Sequence, residues 1–212
     1  MELQIVEQAV AAASDKTCEG KVATYIPELG KADGSRVGVS VFSRSGERLS
    51  VGDTKTRFSI QSISKVISLA VALELCGFDM VFQNVGMEPS GDAFNSMVKL
   101  EYAHSVPYNP MINAGAIVIS SYLARRISFE EMMRTSRSLC LDPDIVLDEN
   151  VYRSEMSNIS RNRAIAYLLE SKGYIEKDVE KGLHFYVKMC SLIVTSESLA
   201  GLGLVLYNEG IH

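Results

Sequence analysis

The 212-residue sequence lacks several things that would point to a particular partner. It has no basic excess: 21 Lys and Arg stand against 26 Asp and Glu, a net charge of −5, and the basic residues are scattered. A duplex nucleic-acid partner calls for a basic face, so that class is disfavoured. No apolar run approaches the roughly 18 residues of a membrane span, and the N-terminal stretch lacks the charged-then-apolar order of a signal peptide. These absences lead to an expected cytoplasmic protein with no membrane partner. Cysteine is sparse. Cys18, Cys76, Cys140 and Cys190 lie at least 50 residues apart with no CxxC and no Cys/His cluster, so free thiols and no metal are expected. HExxH, GxxxxGK[ST] and GxGxxG are all missing, which leaves zinc hydrolase, P-loop and dinucleotide-binding readings without local support. No cofactor is expected.

What is present is an ordinary globular composition, 47% apolar and 22% charged, with no repeat or linker to mark a boundary. A single domain over 1–212 is expected, with enough chain for its own core. Residues 2–13 read as an amphipathic helix with Leu3, Val6, Val10 and Ala13 on one side. Residues 20–30 read as a second short helix ending at Gly30. Val37, Val39 and Val41 then alternate with small residues, turn at Arg44-Ser45-Gly46-Glu47 and resume at Leu49 and Val51, a hairpin pattern. Helices are expected over 62–76, 78–86, 113–125, 128–138, 161–171, 178–191 and 196–208, with one short strand at 145–147.

Ser62-Ile-Ser-Lys65 carries the S-x-x-K spacing of enzymes in which a lysine activates a serine. Positions i and i+3 are neighbours on a helix, and a serine is a weak nucleophile until a base takes its proton. Burial lowers a lysine's pKa and so makes it a usable base. On a helical wheel Ile63, Val66, Ala70 and Leu73 form an apolar arc that includes Ser62, with Lys65 on its border. Spacing alone is weak evidence. With 25 serines and 10 lysines, about one such pair arises by chance, and a second, Ser96-Met-Val-Lys99, lies in a polar region.

The flanking segments discriminate between the two. They are Gly20-Lys-Val-Ala-Thr-Tyr25, Ile60-Gln61-Ser62-Ile-Ser-Lys65, Glu88-Pro-Ser-Gly, Asn109-Pro-Met-Ile-Asn113-Ala-Gly-Ala-Ile, Ser154-Glu155, Arg161-Asn162, and Phe185-Tyr186 ahead of Met189-Cys190-Ser191. This ordered series resembles the bacterial-type glutaminase family of the serine β-lactamase/penicillin-binding superfamily. The resemblance implies an α+β, β-lactamase/transpeptidase-like fold, with N-terminal helices and hairpin over 1–58, a mainly helical subdomain over 59–190 and a returning helix over 191–212. It implies hydrolysis of L-glutamine to glutamate and ammonia through an acyl-enzyme on Ser62, with Lys65 as base and Tyr186 near the reacting centre. Gln61, Asn113, Glu155, Asn162, Tyr186 and, further out, Tyr25 are implied as substrate contacts. If 155–162 formed one helix, Glu155 and Asn162 would stand about 10 Å apart, too far to grip one glutamine, so a break near 157–160 is expected. A homo-oligomer, dimer or tetramer, is also implied.

Family members continue into further sheet strands, so the sequence is expected to be C-terminally incomplete and the 212 residues poorly active alone. Two alternatives accompany the glutaminase reading. One is a non-catalytic amino-acid-binding remnant. The other is a β-lactamase or penicillin-binding-like acyl transferase, which should show Ser-Asp-Asn or Tyr-x-Asn and Lys-Thr-Gly.

Overall fold

The structure, a computed structural model, describes residues 3–102 and 105–210. In chain order its elements begin α1 (Leu3–Ser14), β1 (Gly38–Phe42), β2 (Arg48–Gly52), β3 (Phe58–Ser59), α2 (Ser64–Cys76), α3 (Phe78–Gln83) and α4 (Val98–Glu101). There follow α5 (Asn113–Leu123), α6 (Phe129–Leu139), β4 (Val146–Leu147), α7 (Glu149–Ser157), α8 (Ser160–Ser171), α9 (Val179–Cys190), β5 (Leu192–Val194) and α10 (Ser196–Tyr207). They group into two compact units, Met1–Ser59 with Met133–Val151 and Ile193–His212, and Ile60–Met132 with Tyr152–Leu192.

In the first unit α1 buries Val6 and Val10, while Leu3 at its start stays exposed. The helix expected over 20–30 does not form; only 3-10 turns at Thr17–Glu19 and Leu29–Lys31 flank that stretch. Pro27 supplies no backbone N–H, and β-branched Val22 and Thr24 weaken helical preference. The hairpin forms as its alternation predicts, β1 against β2 in antiparallel register from Gly38↔Gly52 to Phe42↔Arg48. A second sheet has the order β3-β5-β4, with Phe58 opposite Val194. Its strands β3 and β5, two and three residues long, are too short to show alternation. The helix α10 opens on a capping box, in which Ser198 N–H donates to Thr195 Oγ1 at 3.2 Å and Thr195 N–H to Ser198 Oγ at 2.9 Å. It closes on Gly210, at φ 86°, whose N–H reaches Val205 O at 2.9 Å. Ile211 and His212 lie outside the described residues.

The second unit is built around α5. Every residue from Asn113 to Leu123 is buried, as an element apolar all round requires. It packs against α2, α8 and α9. Gly182 on α9 permits a close approach: a Cβ there would stand 2.3 Å from Ser121 Oγ and 3.1 Å from Ser121 Cα. Between α7 and α8 the chain breaks at 158–159, as the reach argument for Glu155 and Asn162 predicts. The helix α7 itself lies outside the expected set, although Asp148 marks its start by accepting from Asn150 and Val151 N–H at 2.8 and 3.1 Å. Among the described residues, no helix is long and apolar enough to cross a membrane.

Candidate functional site

Ser62 sits in a 3-10 turn, Gln61–Ile63, that opens α2. Its side chain is exposed and makes no side-chain hydrogen bond among the described residues. Gln61, just before it, has a left-handed backbone at φ 49°, uncommon for a residue with a Cβ. The wheel reading needs correction here. Ile63 is 43% exposed, whereas the buried face carries Ser64, Lys65, Ile67, Ser68, Val71 and Ala72. The tighter opening turn advances about 120° per residue and shifts the wheel. Lys65 is therefore in the interior at 4% exposure, not on a border.

The Lys65 amine donates to Met111 O at 2.9 Å and to Asn113 Oδ1 at 2.8 Å, not to Ser62. Burial holds its pKa below the ordinary lysine value, with a smaller opposing effect from Cys190. The Asn-Pro-Met-Ile-Asn-Ala-Gly run builds this receptor. Asn109 Oδ1 accepts from Met111 and Ile112 N–H at 2.9 and 3.2 Å and folds the turn. Gly115 admits that turn against α5, since a Cβ there would stand 2.1 Å from Asn109 O. Asn113 is the first helical residue; Ile112 holds the N-cap position without a side-chain cap, so the Asn113 amide is free for other work. Lys65 donates to the Asn113 amide oxygen, so that oxygen faces the amine. The amide nitrogen then donates to Asn162 Oδ1 at 3.0 Å. Tyr186, buried on α9, donates to the same Asn113 oxygen at 3.4 Å.

Glu155 on α7 is different. Its Oε2 is buried without a hydrogen-bond partner, and burial raises its pKa above that of an ordinary glutamate. Its charge is felt at Cys190, whose thiol burial pushes up to about 11. Cys190 and Ser64 are 3.7 Å apart. Both residues stand in the segments that carry the resemblance, but neither is among the residues it implies as site contacts.

The structure thus links Lys65, Asn113, Asn162 and Tyr186 by hydrogen bonds, with Glu155 acting on the same Cys190 that influences Lys65. Gln61 and Ser62 lie one turn before Lys65. Tyr25 belongs to the first unit, where it is 62% exposed. The other S-x-x-K differs: Ser96 Oγ accepts from Val98 N–H at 3.4 Å at the start of the short α4. A separate cavity of about 590 Å³ in the second unit runs from Ala124 to Phe129 and along α9, and none of the expected site residues lines it. Its Arg125, Arg126, Lys181 and Lys188, with no carboxylate among the lining residues, would repel an ammonium group. No three His, Cys, Asp or Glu gather to hold a metal among the described residues.

A family model described as glutaminase matches residues 20–212. A glutaminase of Clostridium botulinum strain Hall is 46% identical over 197 residues, covering 91% of this chain and 65% of that protein. A glutaminase of Alkaliphilus oremlandii is 43% identical over 201 residues, 93% of this chain and 66% of that protein. The chain therefore spans about two thirds of the length of these curated relatives. Among solved structures, a probable glutaminase, ybaS, superposes with a TM-score of 0.89 at 32% identity, over 100% of this chain and 70% of that one. The Bacillus subtilis glutaminase YbgJ, covalently complexed with 5-oxo-L-norleucine after reaction with 6-diazo-5-oxo-L-norleucine, superposes at 0.85 with 34% identity, over 99% and 67%. The fold class is α+β and β-lactamase-like, as in these neighbours.

Proposed function

The chain belongs to the glutaminase family, and on that premise we propose that it hydrolyses L-glutamine to L-glutamate and ammonia through an ester on Ser62. The observation that carries this reading is the buried Lys65 amine held by two carbonyl oxygens. A neutral amine has two hydrogens. Met111 O and Asn113 Oδ1 use both, which leaves the lone pair to take a proton.

In the proposed sequence Lys65 removes the Ser62 proton as Oγ bonds to the side-chain amide carbon of glutamine. Ser62 opens α2, where the helix dipole favours the developing negative charge. Lys65 returns the proton to the amide nitrogen, the C–N bond breaks and ammonia leaves. Water then gives a proton to Lys65 and adds to the ester carbon; Lys65 passes that proton to Ser62 Oγ as the ester C–O bond breaks, and glutamate is released. The unpartnered Glu155 carboxylate receives the substrate's ammonium, which relieves the cost of burying that charge alone. Asn162 and Gln61 supply amide groups to the polar end of the substrate, and Tyr186 orients Asn113. Tyr25 is retained as a peripheral contact on the strength of the resemblance alone. No metal or cofactor enters any step.

The same reading includes a cytoplasmic setting and a homo-oligomer. Met87, Phe94, Val98 and Tyr102, all exposed on one stretch of chain, support association with a second copy. The test of function is mass spectrometry after incubation with 6-diazo-5-oxo-L-norleucine. An adduct on Ser62 that is lost in Ser62→Ala is expected; reversible binding with no adduct overturns the enzymatic reading in favour of an amino-acid-binding module.

A further inference from the structure

Ser64 and Cys190 take no part in the steps above, yet both are buried beside them. We propose that Ser64 is a positioning residue for the nucleophile, its hydroxyl holding the Gln61–Ser62 turn while the Cys190 thiol holds the hydroxyl; this rests on the reading of Ser62 as the nucleophile.

The hydrogens can be assigned. Ser64 Oγ lies 2.7 Å from Gln61 O and 3.7 Å from Cys190 Sγ. A carbonyl oxygen only accepts, so the single Ser64 hydroxyl proton goes to Gln61. The second contact then has one direction: the Cys190 S–H donates to Ser64 Oγ. Burial keeps that thiol protonated at neutral pH. The carbonyl held in this way belongs to the residue at φ 49°, a conformation that persists only where its surroundings over-determine it. The backbone N–H of Ser64 meets the same oxygen, so the turn is gripped by main chain and side chain together.

Cys190 also ties the turn to the base. It follows Tyr186 by one turn of α9, and the Tyr186 hydroxyl interacts with both the Cys190 sulfur and Asn113 Oδ1, the Lys65 acceptor. One face of α9 therefore sets both the turn that carries Ser62 and the amide that holds Lys65. Loss of the Ser64 hydroxyl releases Gln61 toward a right-handed backbone and swings Ser62 away from the amine.

Three variants test this against simple loss of packing. Ser68, one turn further along the same buried face, is 4% exposed and is the control. With 6-diazo-5-oxo-L-norleucine as probe, Ser64→Ala is expected to slow labelling of Ser62 by on the order of 10²-fold. Glutamate affinity should meanwhile fall by less than about 10-fold, since Glu155 and Asn162 are untouched and Gln61 alone of the binding groups moves. Ser64→Thr, which keeps the hydroxyl, should recover most of the labelling rate, and Ser68→Ala should label at the wild-type rate. Wild-type labelling in Ser64→Ala, or equal slowing in Ser68→Ala, overturns the proposal. If the wild-type protein is not labelled at all, the functional reading fails by itself. The positioning claim is then decided by crystal structures: Gln61 should leave the left-handed region in Ser64→Ala alone, and its retention there overturns the claim.

Discussion

Two buried polar clusters, one in each unit, have opposite balances of donors and acceptors. At the start of α10, Thr195 and Ser198 exchange two hydrogen bonds, and Ser198 Oγ donates onward to Asp142 Oδ2 at 2.6 Å. The cluster closes on itself and its capacity is spent on the helix end. Around Lys65, by contrast, the Glu155 Oε2 is buried without a partner and the lysine is held below its ordinary pKa, while the hydroxyl of the exposed Ser62 nearby is uncommitted. Buried polar groups are satisfied as a rule, and exceptions call for a reason. On the proposed reading the difference separates a cluster that stabilises a fold from one that waits for a ligand, and each variant below tests which side of it a residue falls on.

The largest effect is expected at Lys65. Lys65→Ala removes the proposed base and should cut the rate of ammonia release at least about 10³-fold, measured by a coupled ammonia assay at saturating glutamine. A loss of under about 10-fold would move Lys65 to the structural side. The pH profile sharpens the same point. On the proposed mechanism neutral Lys65 is the active form, and burial lowers its pKa, so kcat should rise with pH and level off below the range of a free lysine.

Next in size is Glu155→Gln, which keeps shape and removes charge. A hydrogen bond to a charged group contributes about 1.5–3 kcal/mol, so KM for glutamine should rise roughly 10- to 100-fold with a smaller change in kcat. Stability should move the other way. The folded-state pKa of Glu155 is raised, so its stabilising share is present below the unfolded value and is lost as pH rises through the folded one. At neutral pH the substrate-free variant should melt no lower than wild type, with any advantage fading toward acid pH. A lower melting temperature with unchanged KM would make Glu155 a structural group. The wild-type KM should also climb as pH falls, beginning above the usual carboxylate range.

Much of this was legible in the sequence, for reasons that can be named. Valine alternation over 37–51 specifies the hairpin because one residue of slip would reverse every side chain. The Asn109–Gly115 run is dense in information because each polar residue has a distinct job in one turn. The depth of Lys65 was not legible: α2 carries apolar residues on all sides and gives no clear buried face, and a wheel drawn at 100° fails across a 3-10 turn. Ser64 and Cys190 were hidden for another reason. A serine between Ser62 and Lys65 and a cysteine at the end of a helix look like core until the serine is seen on the Gln61 carbonyl and the cysteine on the serine. The strands β3 and β5 leave no periodic signal in two or three residues.

The smallest effect tests the satisfied cluster. Thr195→Ala removes one half of the capping box, so Ser198 N–H loses its acceptor and Ser198 Oγ keeps only Thr195 N–H and Asp142. Such a cap contributes about 1 kcal/mol, which for a chain of this size lowers Tm by about 2–4 °C. The rate of ammonia release should stay within about 2-fold of wild type, because every hydrogen bond of Lys65 and Asn113 described above lies in the other unit. Calorimetry and the ammonia assay on one preparation separate the two quantities. A Thr195→Ala protein that melts normally but turns over slowly would show that the closed cluster serves the reaction too, and that spare hydrogen-bonding capacity is not what distinguishes the site.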